Sequence, residues 1–588
     1  MIGLKVKKAV VLFALIIALF STSFSYIPAV HAQEVQPFSD VPRDHYAYAQ
    51  IHRLRELGIT SGIGNNKFGL GRTITRGEFV SFLVRLMGWD VVKPEKGSFL
   101  DNKDPNHYTY EMIETALAHG VIKKDSDYFR TNDPITREEM AVMIVRTLGC
   151  ETLAQQLDSI ERPFDDVTRN FGYIAIGKDL GIIAGIGQNK FAPNDTATRE
   201  QAAAMMIRMY DKLNAPMEEL HAFYAISSSN QADKLSRLDS VSFGWARVEY
   251  DKANGKVVIN TERLKDGYYN NDYYIPQGFS EVVEKAKSYG SSCQLMFFIN
   301  EEYVTDPATG KSVRLAEYIV TRPDIREEVI KSMAEMVNST QKYGSTTSFD
   351  GVVSDFEGFK GETLRKAYNE FLSELKTELD KTGKKLYVAV HPRMKPGEDC
   401  FDGYDYRTIG EIADKVILMA HDYEAVSLTD EEMERGYTDT PVTPIDEVYY
   451  ALKGITDRET GVRDLSKVWL QLSIDAVQWK LKDGAVTTKT PYHPTYDLLR
   501  NRFLSGADLY YSEYSGNPYA RYYNTEDGTY NVIWYENQRS IAEKIKLARM
   551  FGIRGLSVWR LGLIPDYDNP SEASLELDIW GEIISNYR

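Results

Sequence analysis

The chain has 588 residues, of which 43% are hydrophobic and 26% charged, which is typical of globular protein and enough for two to four domains. Its formal net charge of −16 argues against a nucleic-acid-binding surface. The three cysteines, Cys150, Cys293 and Cys400, are odd in number and far apart, which excludes a disulfide framework and shows no metal-ligand spacing.

The first 32 residues have the pattern of a secretion signal. Lysines at positions 5, 7 and 8 precede an apolar run over residues 9–20, and residues 30–32 offer small or modest side chains for cleavage. The run is short for a membrane span, and no later run approaches that length. An uncleaved N-terminal anchor is the alternative. We therefore expect an exported protein.

Residues 38 to 213 contain one unit three times. Each unit opens on a Phe-x-Asp motif, with aspartates Asp40, Asp101 and Asp166. Each later carries Thr-Arg-x-Glu or Thr-Arg-x-Gln, with arginines Arg76, Arg137 and Arg199. The acid or amide lies three residues after the threonine, which predicts a capping box at the start of a helix. In the first unit the apolar face of that helix is formed by Phe79, Phe82, Leu83 and Leu86.

The three units resemble S-layer homology domains, at residues 38–90, 99–150 and 163–213. This resemblance implies that they bind secondary cell-wall polymer, often with pyruvylated sugar, on Gram-positive-type cell surfaces. It carries the ligand role onto the six aspartates and arginines named above, because a guanidinium pairs with a ketal carboxylate in bidentate fashion. The alternative is that each arginine pairs with a nearby acid on its helix. The second unit departs from the others, since it lacks the glycine turn found at 62–64 and 185–187.

Residues 214–220, a short polar stretch with Pro216, are predicted to link this region to a second body at 221–588. There, apolar runs alternate with amphipathic helices, such as residues 362–381, which is typical of parallel α/β structure. The predicted strands are 221–226, 241–248, 294–299, 349–357, 385–391, 416–423, 468–474 and 555–561. The chain is therefore predicted to be multidomain, a helical triplet followed by a (β/α)8 TIM barrel whose active site lies at the carboxyl ends of its strands.

The fourth predicted strand ends in two carboxylates. Since side chains alternate along a strand, Val353, Asp355 and Glu357 share one face. Crowding and burial would raise the pKa of at least one acid, which suits a general acid near neutral pH. The alternative is a strand that runs into a loop where both acids are solvated. His421 and Trp559, at the ends of the sixth and eighth strands, would lie on the same rim.

The order Asp350-Gly351-Val352-Val353-Ser354-Asp355-Phe356-Glu357 resembles the Asp-Gly-x-Asp-x-Asp-x-Glu signature of glycoside hydrolase family 18, the chitinase-like enzymes. Val353 departs from it, because the family usually has Asp there. The resemblance extends over the second half of the chain. It is closest to the branch of spore-cortex and cell-wall N-acetylglucosaminidases, which has segments similar to residues 522–528, 534–540 and 555–562.

The resemblance implies a role for each site residue. Glu357 would protonate the leaving glycosidic oxygen, and Asp355 would orient the substrate's acetamido group, whose oxygen attacks the anomeric carbon. The implied substrate-binding residues are Asp350, His421, Asp422, Tyr423, Trp559 and Glu536. His421 stands where the family usually has Tyr, and Tyr423 could reach in only with a shift of register. For Glu536, the alternative is a surface salt bridge with Arg539 or Lys544.

The sequence thus predicts a hydrolase of β-linked N-acetylglucosamine polymers, such as peptidoglycan or chitin, secreted and attached to the cell wall. Its expected partners are that polysaccharide and secondary cell-wall polymer. No cofactor, metal, nucleic acid or membrane span of the processed chain is expected. Val353 and His421 leave open a catalytically silent barrel that binds amino sugars. A third possibility is a barrel that serves only as a structural spacer.

Overall fold

The computed structural model describes residues 36–263, 273–299 and 302–587, so the predicted secretion signal lies outside the described residues. The helices are α1 Tyr48–Glu56, α2 Arg76–Met87, α3 Tyr110–Ala118, α4 Arg137–Thr147, α5 Glu151–Leu157, α6 Phe171–Asp179, α7 Arg199–Asn214, α8 Phe279–Ser288, α9 Leu315–Val320, α10 Pro323–Asn338, α11 Gly361–Asp380, α12 Tyr406–Ile412, α13 Asp430–Glu434, α14 Ile445–Ile455, α15 Tyr496–Leu504, α16 Gln538–Phe551 and α17 Ile579–Asn586. The strands are β1 Glu219–Tyr224, β2 Ser240–Asp251, β3 Lys256–Asn260, β4 Ser292–Ile299, β5 Tyr303–Thr305, β6 Ser312–Arg314, β7 Thr340–Lys342, β8 Ser345–Thr347, β9 Gly351–Phe356, β10 Lys385–Val390, β11 Lys415–Leu418, β12 Val468–Ser473, β13 Ala476–Lys482, β14 Ala485–Val486, β15 Asp508–Ser512, β16 Asn517–Asn524, β17 Thr529–Tyr535 and β18 Gly555–Trp559.

The three repeats form a helical region, residues 38–214, which we call the anchor region. Helices α2, α4 and α7 each start after the predicted threonine, and each has the predicted capping box. The segments just before these helices join in a triangle. Ile74 N–H donates to Ala197 O at 3.0 Å, Ile135 N–H to Ile74 O at 3.0 Å, and Ala197 N–H to Ile135 O at 2.9 Å. The repeats therefore close into a ring rather than lying as separate beads.

The second body is a closed barrel of eight parallel strands. Around the barrel they follow the order β1, β2, β4, β9, β10, β11, β12 and β18, and β18 pairs with β1. All eight correspond to the predicted strands, so the (β/α)8 prediction is confirmed. The sixth, β11, is shorter than predicted and ends at Leu418 rather than Tyr423. Further along, Asp422 has a φ of 60°, which is incompatible with an extended strand as far as Tyr423.

Alternating side chains fill the barrel interior. Phe223, Met296, Val353, Tyr387, Ala389, Ile417 and Trp469 form one buried apolar cluster there. Below them, His221 is fully buried, and its two ring nitrogens lie 2.8 Å from the hydroxyls of Ser557 and Ser242. Burial lowers the pKa of His221 to about 3, so this histidine is a neutral part of the core.

An insertion follows β12. It is a five-stranded antiparallel sheet in the order β14, β13, β17, β16 and β15, with α15 between β14 and β15. Aromatic side chains join neighbouring strands of this sheet, and the rings of Tyr519 and Trp534 lie 4.8 Å apart.

The anchor region and the barrel are in direct contact. Helix α7 continues to Asn214 and β1 begins at Glu219, so the link is shorter than the predicted residues 214–220. Lys453 of α14 bonds to Glu161 at 2.7 Å and to Asp179 at 3.0 Å. The hydroxyl of Tyr449 also donates to Asp179. This cross-domain charge cluster fixes the barrel against the third repeat. None of the described helices has the length and apolar character needed to cross a membrane.

Candidate active site

Strand β9 carries the first of the two predicted carboxylates into a buried position. Asp355 is only 6% exposed, and its Oδ1 has no hydrogen-bond partner among the described residues. Burial raises its pKa to about 7, although the positive charge of His421 acts in the opposite direction. Val353 lies two residues earlier in the barrel interior and is fully buried. The carboxylate of Asp355 therefore rests on apolar side chains, not on a second acid.

Glu357 lies just beyond the end of β9, nearer to solvent. Its side chain is 37% exposed, and its Oε2 is 3.7 Å from Nε2 of His391. Asp355 and Glu357 line the same cavity, which has a volume of about 540 Å³. The alternative of two solvated acids in a loop is wrong, because the deeper acid is buried. Two acids at different depths in one cavity can donate or accept a proton at two positions along a bound substrate.

Aromatic side chains line part of the cavity, as expected for a sugar-binding cleft. Trp559 lies at the end of β18, and its ring centroid is 5.1 Å from that of Phe223. The other lining residues are Tyr273, Phe298, Ala389, His391, Pro392, Met394, Asp399, Cys400, Phe401, Met419, His421, Asp422, Tyr423 and Gln471. The predicted convergence of strand ends on one rim is confirmed for the fourth, sixth and eighth strands, and residues that follow the fifth strand lie there too.

His421 is held between two oxygens. Its Nε2 lies 2.7 Å from Oε1 of Gln471, and its Nδ1 lies 3.0 Å from Oδ2 of Asp422. Burial by itself would lower the pKa of His421, but Asp422 and Gln471 favour the charged ring and raise it to about 9. Conversely, His421 lowers the pKa of Asp422 against the effect of burial. The pair is therefore an imidazolium beside a carboxylate near neutral pH.

Tyr423 reaches the cavity because the backbone leaves the strand geometry before it. Asp422 has φ 60°, and residues 421, 422 and 423 all line the cavity, which a regular alternating strand would not allow. The hydroxyl of Tyr423 is buried and has no hydrogen-bond partner among the described residues. From the sequence, Tyr423 was expected to reach the site only with a shift of register, and this change in the backbone is that shift.

His391 and Gln471 are among the cavity residues to which the sequence assigned no role. The ring of His391 lies 4.4 Å from that of Phe401, and burial lowers its pKa to about 4, so the ring is neutral near pH 7. His391 follows the fifth strand and Gln471 lies in the seventh. Their positions at the carboxyl ends of barrel strands were the only signal in the sequence that could have identified them.

Asp350 is not in the cavity, which corrects its predicted substrate-binding role. It precedes β9, at the opposite end from Asp355, and its Oδ2 accepts a hydrogen bond from Cys293 N–H at 2.8 Å. The next residue is Gly351, and a larger side chain does not fit there, because a Cβ would lie 2.2 Å from the carbonyl oxygen of Lys385. These two signature residues serve strand packing at the bottom of the barrel.

Glu536 is also outside the cavity, and its predicted role in substrate binding is corrected. It is 1% exposed and forms an ion pair with Lys544 at 2.8 Å. Asn517 and Ser540 donate hydrogen bonds to its two oxygens at 2.9 and 2.5 Å. The alternative salt bridge with Lys544 is present, although it is buried rather than on the surface. Every oxygen of Glu536 is thus satisfied within the protein.

In the anchor region, the three predicted aspartates hold the loop that precedes each capped helix. Asp40 accepts hydrogen bonds from the N–H groups of Phe68, Gly69 and Leu70 at 2.7, 2.8 and 3.1 Å. Asp101 and Asp166 accept from equivalent N–H groups in their repeats. Burial raises the pKa of all three, but these backbone bonds outweigh it and lower the pKa. Contact with a polymer stays a prediction for them.

The three predicted arginines reach from one repeat into the next. Arg76 donates to Phe129 O at 2.8 Å and Arg199 donates to Phe68 O at 3.1 Å. Each also pairs with a glutamate of that next repeat, Glu139 at 2.5 Å and Glu78 at 3.0 Å. The alternative of a pair on the same helix is therefore wrong for these two. Arg137 donates to two backbone carbonyls and has no carboxylate within 4 Å among the described residues.

One group of side chains in the described part of the chain has metal-ligand chemistry. Ligand atoms of Glu424, Asp475 and His493 lie within 4.8 Å of one another, beside Asp422 and outside the main cavity. Nδ1 of His493 is 3.0 Å from Asp475, a hydrogen bond that accounts for this approach without an ion. Burial, together with the nearby charges of Asp422 and Asp475, raises the pKa of Glu424 to about 7.

Comparison with known proteins agrees with this organisation. The profile of the S-layer homology domain matches residues 37–80, 104–141 and 163–203. A cortical fragment-lytic enzyme of Bacillus subtilis (strain 168) is 26% identical over 250 residues, which cover 41% of this chain and 52% of that enzyme. A cell surface protein of Thermoanaerobacter kivui is 23% identical over 474 residues, covering 74% of this chain and 57% of that protein.

The chain thus spans about half the length of these curated relatives, and 10% of an amylopullulanase of Thermoanaerobacterium thermosulfurigenes. Among solved structures, the spore cortex-lytic enzyme SleL of Bacillus cereus is 19% identical with a TM-score of 0.46, covering 63% of this chain and 75% of that one. A chitinase from Chromobacterium violaceum is 17% identical with a TM-score of 0.45, covering 63% and 98%.

The profile described as glycosyl hydrolases family 18 matches residues 221–563, which include every barrel strand except the first two residues of β1. This match covers more than half of the chain. The chain therefore belongs to glycosyl hydrolase family 18 and carries three S-layer homology domains ahead of its barrel.

Proposed function

We propose that the barrel hydrolyses β-linked N-acetylglucosamine polysaccharide, such as peptidoglycan or chitin, with the substrate's own acetamido group as nucleophile. The observation that carries this proposal is the placement of buried Asp355 and half-exposed Glu357 in one aromatic cavity with Trp559. Family 18 enzymes are among the exceptions to the usual two-carboxylate scheme, so the cavity needs only one general acid.

In the proposed reaction, the carboxyl of Glu357 gives its proton to the glycosidic oxygen as the bond from that oxygen to C1 breaks. The acetamido carbonyl oxygen attacks C1 from the other face and forms a cyclic oxazolinium ion. The Glu357 carboxylate then takes a proton from water, and the resulting hydroxide opens the ring with retention of configuration. The exposure of Glu357 suits a group that must meet both a leaving sugar and water.

Asp355 would stabilise the positive charge that develops on the acetamido nitrogen. Its Oδ1 lacks a partner and is therefore free to accept that N–H, and the nearby His421 cation favours the ionised carboxylate. The buried hydroxyl of Tyr423 would donate to the acetamido oxygen, in the role that the family gives to the tyrosine replaced by His421. Trp559 would pack against the apolar face of the sugar ring.

The S-layer homology domains would attach the enzyme to secondary cell-wall polymer. The closed ring of repeats and its direct contact with the barrel support a rigid presentation of the cleft at the cell wall. We propose a secreted protein held on the bacterial surface, which cleaves glycan within reach of its attachment point.

The test is an assay of the purified protein on soluble N-acetylglucosamine oligomers and on purified peptidoglycan, next to Glu357→Gln. We expect release of reducing sugar that falls by about 10²–10⁴-fold in the variant, the usual contribution of a general acid. An unchanged thermal unfolding temperature would show that the variant is folded. Equal turnover by both proteins would contradict the assignment of Glu357.

A second candidate is a catalytically silent barrel that binds amino sugars. It is favoured by Val353, because the apolar cluster beneath Asp355 leaves no inner carboxylate to share its charge or proton. In the same assay, this candidate predicts no turnover by the wild type on either substrate, with oligomer binding in calorimetry that Glu357→Gln leaves within about threefold.

A further inference from the structure

The ring of His391 is held in the active-site cavity by its surroundings. His391 directly follows β10, and its carbonyl oxygen accepts the hydroxyl of Tyr406 at 2.6 Å. Its ring packs against those of Phe401 and Tyr404, whose centroids lie 4.4 and 5.6 Å away. The backbone bond and the two aromatic neighbours therefore fix the direction in which the imidazole points.

That direction is toward Glu357. Nε2 of His391 lies 3.7 Å from Oε2 of Glu357, and this nitrogen is buried without a hydrogen-bond partner in the described part of the chain. A hydrogen bond between nitrogen and oxygen needs about 2.7–3.2 Å, so the pair stands slightly open. Catalytic hydrogen bonds are often long in the free enzyme and shorten when substrate binds. Closure of this gap would satisfy a buried nitrogen that otherwise costs free energy.

His391 is a neutral partner for this acid. Burial lowers the pKa of His391 to about 4, and the positive charges of His421 and Arg314 act in the same direction. A neutral imidazole carries one N–H, which can donate a hydrogen bond to a carboxyl oxygen while the ring keeps its proton. The ring can therefore support both the protonated and the ionised form of Glu357 near pH 7 without changing its own charge.

Strand β9 offers no polar side chain below its two acids that could do the same. Val353 lies two residues before Asp355 and is fully buried in the apolar cluster of the barrel. A chain of carboxylates along β9 therefore cannot orient Glu357. The neighbouring strand, β10, pairs with β9 in parallel and brings His391 to the same rim. The support for the general acid thus comes from the fifth strand of the barrel.

We infer that His391 is the positioning residue of the general acid, that its Nε2–H binds Oε2 of Glu357, and that this bond places the acidic proton on Oε1, toward the glycosidic oxygen. This inference rests on the proposed hydrolysis. When the glycosidic bond breaks, the proton leaves Oε1, and the hydrogen bond at Oε2 stabilises the new carboxylate. Oε1 then takes a proton from water in the second step. His391 keeps its own proton throughout.

The test uses the whole chain and two aryl β-glycosides of the N-acetylglucosamine dimer. A methoxyphenol must be protonated as it leaves, whereas a dinitrophenolate leaves without a proton. His391→Phe keeps a ring against Phe401 and removes the donor. It should lower kcat/KM for the methoxyphenyl glycoside by roughly 10–100-fold through kcat, and stay within about threefold for the dinitrophenyl glycoside. His391→Gln has an amide N–H in place of Nε2–H and should stay within about threefold of the wild type on both.

Thermal unfolding checks that each variant is folded, and His391→Leu, with a smaller side chain, replaces His391→Phe if the latter is not. His493→Phe, at a histidine that pairs with Asp475 outside the main cavity, is the control and should stay within about threefold on both glycosides. Equal losses on the two glycosides, no loss on either, or no recovery in His391→Gln would overturn this inference alone. No turnover by the wild type would mean that the proposed hydrolysis fails, and this inference with it.

Discussion

The anchor region and the barrel cleft treat buried charge in opposite ways. In the anchor region, Asp40 accepts three backbone N–H groups, and Arg199 meets both a carbonyl and Glu78. In the cleft, Asp355 Oδ1 and the Tyr423 hydroxyl are buried without a hydrogen-bond partner among the described residues. Asp40 and Arg199 of the anchor region are thus satisfied within the protein, whereas these two groups of the cleft are left for a ligand or water.

This difference separates structural from chemical use of the same residue types. An unsatisfied buried polar atom costs about 1–3 kcal/mol, so a protein keeps several of them together only where a ligand or water can complete them. A satisfied network, by contrast, stabilises one geometry. Substitutions should therefore reduce activity without loss of stability in the cleft, and reduce stability first elsewhere.

The largest effect is expected at Asp355. Asp355→Asn removes the charge at nearly constant volume, and turnover should fall by roughly 10³-fold, about 4 kcal/mol. The folded-state pKa of about 7 lies above the unfolded value near 3.8, so the ionised acid destabilises the fold fully above pH 7 and not at all below pH 3.8. The variant should then unfold at an equal or higher temperature at pH 8, with the advantage gone at pH 4.

Asp350→Asn, at the other end of the same strand, is the matched control. It weakens the acceptor for Cys293 N–H and should lower the free energy of unfolding by about 1 kcal/mol. Turnover should stay within about threefold of the wild type, because Asp350 is outside the cavity. A larger loss of turnover in Asp350→Asn than in Asp355→Asn would contradict the placement of Asp355 at the cavity end of β9 and of Asp350 at the opposite end.

The next effect is on stability, at Glu536. Glu536→Gln leaves Lys544, which is 1% exposed, without its anion, and should cost roughly 3 kcal/mol of unfolding free energy in denaturant titration. Glu536→Gln combined with Lys544→Met should recover part of that loss, since no charge then stays buried alone. If Glu536→Gln instead lowered turnover at full stability, the substrate-binding role would be restored.

Arg199→Gln should destabilise the anchor region by about 2 kcal/mol. The substitution leaves Oε1 of Glu78 and the carbonyl of Phe68 without the donor that Arg199 supplies, in a site where Arg199 is 3% exposed. Limited proteolysis should show earlier cleavage within residues 38–214. Arg53→Gln, an exposed residue of α1, is the control and should leave the cleavage pattern unchanged. Equal protection of both variants would mean that the ring does not depend on this contact.

The smallest effect is a shift in pH dependence from His421→Gln. The His421 cation lowers the pKa of Asp355, so its removal favours the protonated acid and raises that pKa. The acidic limb of kcat/KM against pH should move up by about one pH unit. His493→Gln, which removes a histidine paired with Asp475 outside the main cavity, should move it by less than about 0.3 unit. A shift to lower pH in His421→Gln would contradict the charge assigned to this ring.

Much of the fold followed from local patterns. The capping boxes at Thr75, Thr136 and Thr198 and the eight barrel strands were predicted because their signals, a side-chain cap and apolar runs, lie within a few residues. The five-stranded insertion was not predicted as a sheet. Its strands are specified by cross-strand contacts such as Tyr519 with Trp534, which depend on the register of chain segments that the sequence does not pair.

The candidate site likewise has a part that local sequence patterns predicted and a part that they did not. By itself, the sequence determined that Asp355, Glu357, His421 and Trp559 would meet at one rim, because the carboxyl ends of parallel strands share an edge of the barrel. Only the tertiary structure decided that Asp350 and Glu536 lie away from it and that Tyr423 enters it. It also decided that Arg76 and Arg199 meet glutamates while Arg137 does not. These outcomes depend on hydrogen-bond and ion-pair partners from distant segments of the chain. A sequence motif names the polar residues but not the residues that bind them in the fold.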